Sequence, residues 1–529
     1  VPGKKGQVLK NSPRKVLIIG LDGATWKVLR PLMEEGYMPH LAKLAAGGAR
    51  GTLMSILPAN TAAAWSSFQT GVNPGKHGIT NFMMYDSSAN QMKLVSSVSI
   101  KSKTVWETIS EQGRKTILIN VPMTYPPRPI KGIVLSGILT PRVGPDMIYP
   151  GRLFGELKER LREYKILVPG NRLANMGLEE FINEQIGVEK VRFDLARHLL
   201  KQYEWDVFMV HNQSMDVVQH TCWRYLDRNS SYFDEKKFSQ IAPFYEASDE
   251  FIHSLLDAAG PEVTVIIVSD HGFGLSERSL NLNVWLRKAG FLSVNSRIWL
   301  GYLKYLVKRM DWLGLRKRLI DKKWTVFRLL GARAKFNQML INWQKTRAFT
   351  ASHFYGSIYL NCGEGLKREI ARSIVEGLRE LKDPQTKKRA CEAYSKWQIY
   401  QGPCLDLLPD VIVEPFEGYY CNPTLDPVGI SSEAFPSDLL TGTHRREGIA
   451  ILNGPRVRRS RDFSAHITDI APTILFLLGA AIPEYMDGRA LAELFSPQLF
   501  ERNQMRRADE DQSPRQPIVR ESTSSELEN

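Results

Sequence analysis

Cysteine is scarce in this chain and badly spaced for structural work. Cys222, Cys362, Cys391, Cys404 and Cys421 are odd in number, and none forms a CxxC pair. That argues against a disulfide framework and against a thiolate zinc site, so any metal must be held by carboxylates and imidazoles. Long apolar runs are also missing; none reaches the roughly 18 residues that a membrane-spanning helix needs. The opening VPGKKGQVLKNSPRK is charged, with no signal-type apolar stretch behind it, and the expected location is the cytoplasm. No internal repeat is present. The net charge of +14 is largely local, because residues 297–337 hold 12 Lys or Arg against two Asp. The remainder is close to balance, and no nucleic-acid partner is expected.

What is present is alternation. Runs rich in Val, Ile and Leu occur at 15–22, 115–121, 205–212, 263–270, 357–361, 409–415 and 448–454. Helical patterns such as 178–203 and 368–381 separate them. Strands apolar on both faces predict a mostly parallel sheet between helix layers, an α/β class. The division expected is an arm over 1–14, a core over 15–284 with a cap insertion at about 138–180, a basic amphipathic insertion over 285–345, a second core part over 346–500, and a disordered tail over 501–529. In such sheets ligands collect at the carboxyl ends of strands. Asp22, His211 with Asn212, and Asp270 with His271 all follow apolar runs directly.

Several residues stand in patterns that suit metal chemistry. Asp216 and His220, in MDVVQH, are four apart and share one face of a helix. Taken singly, such a pair is usually just solvent-exposed. Asp270 and His271 in VSDHGFG would point to opposite faces of a continuing strand, unless the chain breaks at Gly272 and Gly274. Asp22, in GLDGA, also reads as a helix cap. His444 in TGTHRREG is a further candidate, and His466 competes for its role. Thr61 in PANTAAAWSSF stands at a predicted helix N-terminus, where backbone N–H groups favour phosphate. It could equally be a plain N-cap. His77 and Asp469 read as structural, the latter with Thr468 at the start of a helix that Gly479 ends.

The motifs LDGATW, PANTAAAWSSFQTG, NPGKHGI, MDVVQH, SDHGFG and GTHR occur in that order. Together they resemble the type I phosphodiesterase and nucleotide pyrophosphatase family of the alkaline phosphatase superfamily. The resemblance implies an alkaline phosphatase-like three-layer sandwich with cap insertions and a two-metal hydrolase of phosphate esters. It implies Asp22, Asp270 and His271 on one ion, Asp216, His220 and His444 on the other, and Thr61 as a metal-associated nucleophile that becomes a phospho-threonine. Imidazole plus carboxylate suits zinc, with manganese as the alternative. Nucleotide-cleaving members carry a phosphate-binding Asn two residues before Met-Tyr-Asp. Here that place is Phe82, and Asn81 stands one position earlier. The C/S-x-P-x-R sulfatase signature is missing. A phosphomonoesterase or phosphotransferase on the same centre is the alternative within enzymes; a membrane-surface binding protein with a vestigial site is the alternative outside them.

Residues 297–337 mix Trp, Leu and Tyr with cations. This reads either as a surface helical insertion or as an interfacial segment for peripheral membrane contact, with a lipid-linked phosphoester as substrate. The interfacial reading predicts that the full chain co-sediments with anionic vesicles and that a chain lacking 297–337 does not; equal sedimentation excludes it.

Overall fold

The structure, a computed structural model, describes residues 15–87, 91–295, 340–351, 355–425, 430–431, 441–459, 461–497 and 507–508. Its centre is a nine-stranded sheet. From one edge the order is Arg461–His466, Ala49–Met54, Glu447–Asn453, Thr264–Val268, Val16–Leu21, Val207–Asn212, Thr116–Val121, Gly132–Ser136 and Ile148–Tyr149. Val16–Leu21 runs parallel to both its neighbours. Glu447–Asn453 is antiparallel on both sides, and Ile148–Tyr149 closes the far edge antiparallel. The sheet is mostly parallel, as the apolar runs predict.

Side-chain alternation explains the layers. Leu17, Ile19 and Leu21 face one apolar cluster, which includes residues of the helices Trp26–Glu34, Pro39–Gly47, Leu178–Gln202, Ser214–Leu226 and Glu235–Ala259. Val16 and Ile18 face the other, built with the helices Thr61–Thr70, Val105–Glu111 and Ile470–Leu478. Each buried side chain of this size contributes about 1.5–3 kcal/mol. The two faces thus hold the three layers together.

Two of the seven expected strands belong elsewhere. Gly356–Leu360 and Val411–Pro415 pair with each other, and with Ala348–Thr350 and Cys391–Ser395, in a separate antiparallel sheet. The helix Glu364–Arg379 packs there around a third apolar cluster. An apolar run reports burial, not which strand lies beside it, so the sequence pattern could not separate the two sheets. Gly272–Asn281 connects the two bodies: it starts beside the central sheet, pairs antiparallel with Gly442–Arg445, and continues parallel to Gly418–Asn422.

The segment expected as a cap contains the sheet's edge strand, Ile148–Tyr149, and its Leu153, Leu157, Leu161 and Tyr164 enter the first cluster. Residues 297–337 lie outside the described residues, as do 1–14 and most of 501–529. Arg507–Ala508, within the expected tail, pairs with Ile482–Pro483. Among the described residues no helix is long and apolar enough to cross a membrane.

One glycine ties this frame to the strand ends. Gly23 follows the first strand at φ 71°, and a Cβ there would stand 2.4 Å from the Phe273 ring. Its N–H donates to Asp270 Oδ1 at 3.2 Å and its carbonyl accepts from Gln219 Nε2 at 2.8 Å. A left-handed φ costs an L-residue about 1–2 kcal/mol before any clash. Gly23→Ala is expected to lower the melting temperature by several degrees and to reduce activity with it, as calorimetry and a phosphodiester assay would register.

Candidate metal centre

Register alone brings the first ligands together. Leu21 pairs with Asn212 and Gly20 with Val268 across adjacent parallel strands. Asp22, Gln213 and Asp270 therefore leave the sheet side by side. The strand Thr264–Val268 stops before Asp270, and a new strand starts at Gly272. This break turns Asp270 and His271 the same way, with Asp270 Oδ2 and His271 Nε2 3.3 Å apart. Gly272 and Gly274 are needed for close approach rather than for unusual φ. A Cβ would meet the Glu447 carbonyl oxygen at 2.1 Å at Gly272, and the Glu417 carboxylate at 2.5 Å at Gly274.

The helix Ser214–Leu226 supplies the next pair. Asp216 and His220 do share its inner face, with Oδ1 and Nε2 3.4 Å apart. His444 sits opposite Phe273 in the antiparallel pairing, which stacks its ring on His271 at 3.7 Å between centroids. Its Nε2 lies 3.3 Å from Asp216 Oδ1 and 2.8 Å from His220 Nε2. Ligand atoms of Asp22, Asp270 and His271 lie within 4.8 Å of one another, as do those of Asp216, His271 and His444. His271 thus stands between the two groups, and the six side chains form one continuous cage.

Tautomers follow from the outer contacts. Nδ1 of His220 faces the Gly442 carbonyl at 2.9 Å, Nδ1 of His444 faces that of Ala59 at 3.1 Å, and Nδ1 of His271 faces that of Gly272 at 3.2 Å. A carbonyl oxygen only accepts, so each Nδ1 carries the proton and each Nε2 turns a lone pair inward. Asp22 is held the same way from outside. Its Oδ2 accepts from His211 Nε2 at 3.0 Å, Gln213 Nε2 at 3.2 Å and Trp65 Nε1 at 3.3 Å. Gly20 makes this possible, since a Cβ there would press on Trp65 and His211. Meanwhile Asp22 Oδ1, Asp216 Oδ1, Asp270 Oδ2 and His271 Nε2 are buried with no hydrogen-bond donor or acceptor of their own. Carboxylate oxygens and imidazole lone pairs, converging and otherwise unsatisfied, are the donor set that a divalent cation fits.

Electrostatics agree. Burial, then the Asp216 charge, pushes the Asp22 carboxyl well above its ordinary range; burial, then Asp22, does so for Asp270. Burial drives His271 and His220 down, toward the neutral form that ligates.

Thr61 opens the helix Thr61–Thr70, every residue of which is buried. The cap is Asn60, whose Oδ1 accepts from Ala63 N at 3.1 Å, so the alternative of Thr61 as N-cap is corrected. The segment is tied to the cage on both sides. Ala59 accepts from His444, and Trp65, one turn after Thr61, donates to Asp22. Asn60 Nδ2 also holds the Thr80 carbonyl at 2.6 Å, beside Asn81, whose Oδ1 accepts from Phe82 N at 2.7 Å. His466 is outside the cage; its Nδ1 meets Thr468 Oγ1 at 3.0 Å. Asp469 accepts from the backbone N–H groups of His466 and Arg489. His77 is buried between Ser67 Oγ and the Ile79 N–H. Sequence reasoning assigned no role to Trp65 or Gln213, and saw His211 only as a polar strand end.

The sequence matches the family described as type I phosphodiesterase / nucleotide pyrophosphatase over residues 16–422, most of the chain. The chain belongs to that family. It is accordingly a metal-dependent hydrolase of phosphate esters, in the alkaline phosphatase superfamily. Human ectonucleotide pyrophosphatase/phosphodiesterase 5 shares the fold at a TM-score of 0.52 and 15% identity, over 91% of this chain and 100% of that one. An inactive form of the murine protein, solved in complex with AMP, gives 0.50 and 14% over 91% and 100%. Phosphonoacetate hydrolase from Sinorhizobium meliloti 1021, solved with phosphonoformate, gives 0.57 and 14% over 88% and 96%. No curated protein sequence matches the chain.

Metal binding to such a cage competes with the protons that burial favours on Asp22 and Asp270. Zinc added to metal-free protein in weak buffer is expected to release protons to an indicator dye, and zinc affinity to fall as pH is lowered. A buried carboxyl with a raised pKa costs stability as pH rises above the unfolded value near 4. Metal-free Asp270→Asn should therefore melt several degrees above metal-free wild type at pH 7, while binding less zinc.

Proposed function

We propose that the chain cleaves small-molecule phosphodiesters or pyrophosphates in two steps, with Thr61 as nucleophile and two divalent ions as cofactors. The observation carrying this reading is the set of inward, unpartnered ligand atoms on Asp22, Asp216, Asp270 and His271, completed by the Nε2 lone pairs of His220 and His444. Asp22, Asp270 and His271 would hold one ion, and Asp216, His220 and His444 the other. Zinc suits these donors best, with manganese as the alternative. Two such ions supply positive charge for phosphoryl oxygens and lower the pKa of a hydroxyl or water.

The chain's own part is positioning. Thr61 Oγ attacks phosphorus, one ester or pyrophosphate oxygen leaves, and water then attacks the phospho-threonine, which frees the threonine and releases the rest of the substrate as a phosphomonoester. The helix N-terminus at Thr61 turns N–H groups and a favourable dipole toward the phosphoryl group. The ties through Ala59 and Trp65 support its placement between the two ligand groups. Asn81, beside the Asn60–Thr80 contact, is the proposed phosphate-binding side chain. The inactive murine relative carries a threonine-to-alanine change, which agrees with a threonine nucleophile. A lipid-linked substrate and membrane contact rest on the composition of 297–337 alone.

Bis(p-nitrophenyl) phosphate is expected to turn over faster than p-nitrophenyl phosphate. Thr61→Ala should lower kcat by roughly a thousandfold or more, with two ions per chain still present by elemental analysis. An active Thr61→Ala enzyme removes the threonine from the reaction.

A further inference from the structure

Beneath the helix that carries Asp216 and His220 lies a pair of charges that the reaction does not use. Glu189 and Arg192, three apart on the helix Leu178–Gln202, form an ion pair, and both are 0% exposed. Pairs of this kind are poor devices for stability, because desolvation of both charges offsets their attraction; apolar replacements are often neutral or better. What this pair touches gives it another use.

Glu189 Oε1 accepts from the backbone N of Ser214 at 3.0 Å. Ser214 is the first residue of the Asp216/His220 helix, and its N–H has no acceptor within that helix. The preceding Gln213 makes no side-chain cap. Asn212 Oδ1 takes the next N–H, that of Met215, at 3.2 Å. The first turn is therefore anchored from outside, with Glu189 gripping Ser214, two residues before Asp216. Arg192 holds the Glu189 carboxylate in place, and is itself held by the carbonyls of Lys165 and Ile166, each at 3.1 Å. Gln185 on the same helix takes the Val168 carbonyl at 3.2 Å. Gly170, further along that segment, packs against the helix itself, where a Cβ would stand 2.6 Å from the Thr221 methyl.

We infer that Glu189 is a positioning residue for the Asp216/His220/His444 ion, acting through the Ser214 N–H, with Arg192 fixing its carboxylate. The inference rests on the metal reading above. What the helix needs from position 189 is an acceptor oxygen at a fixed place; charge and packing are secondary. Outer contacts of this type commonly set metal affinity by about ten- to a hundredfold.

Two double variants separate these requirements. E189Q/R192M removes both charges but keeps an amide oxygen for Ser214, whereas E189L/R192M removes the acceptor as well. Zinc affinity is read by competition with a chromophoric chelator, with D216N as control. The expected result is near wild-type affinity for both ions in E189Q/R192M, and about ten- to a hundredfold weaker binding of one ion in E189L/R192M. Zinc binding unchanged in E189L/R192M, or equally lost in both, overturns the positioning role, given a D216N variant that does lose an ion. A D216N variant that keeps both ions overturns the metal reading and this inference with it. If neither double variant folds, amide exchange in the wild-type holoenzyme decides: the Ser214 N–H should be protected, and exchange at the rate of an open loop overturns the inference.

Discussion

Three ionised carboxylates and three imidazoles with their lone pairs inward cannot share a buried space unless positive charge, from metal ions or from bound protons, stands among them. Asp22, Asp216 and Asp270 each turn an oxygen into the cage that meets no donor, and His220 and His444 set two Nε2 atoms 2.8 Å apart. Water cannot satisfy this arrangement alone, because the cost is one of charge as well as of hydrogen bonding. The remainder of the site consists of devices that keep these atoms from turning away. Each Nδ1 is committed to a carbonyl, and the second oxygen of Asp22 is committed to three donors.

The sheet makes that commitment affordable. Central strands buried on both faces have little freedom to slip, since a one-residue shift exchanges the two apolar clusters. Their carboxyl ends are therefore fixed points, and Asp22, Gln213 and Asp270 inherit that precision. The remaining ligands come from elements laid against those ends: a helix whose first turn is anchored on Glu189, and a short strand paired to Gly272–Asn281. That long strand also carries the chain into the smaller antiparallel body, so the site lies where the two meet.

Much of this was legible in the sequence because it is local. Burial of VLIIGL and TVIIV on both faces, the i, i+4 spacing of Asp216 and His220, and the position of Asp22 and Asp270 after apolar runs each depend on a few neighbouring residues. Their order along the chain carried the family resemblance. Less legible was the membership of Gly356–Leu360 and Val411–Pro415 in a second sheet, since apolarity is the same in either. Arg461–His466 was not predicted as a strand at all; it is an edge strand with three of its six residues exposed. Asn60 rather than Thr61 as the helix cap turns on one hydrogen bond, which neighbouring residues of similar capping ability leave undecided.

By itself the sequence determined the kinds of ligand available, the buried strands, and the family whose motifs these are. Tertiary structure decided which histidines face the cage. His77 and His466 are as capable of ligation as His444, but local hydrogen bonds use them, while His444 is carried against a helix 224 positions away in sequence. It also placed His271 between the two groups of ligands and set Trp65, His211 and Gln213 behind Asp22. Coordination requires atoms from distant segments to converge within a few ångströms, and only the packed chain specifies distances of that kind.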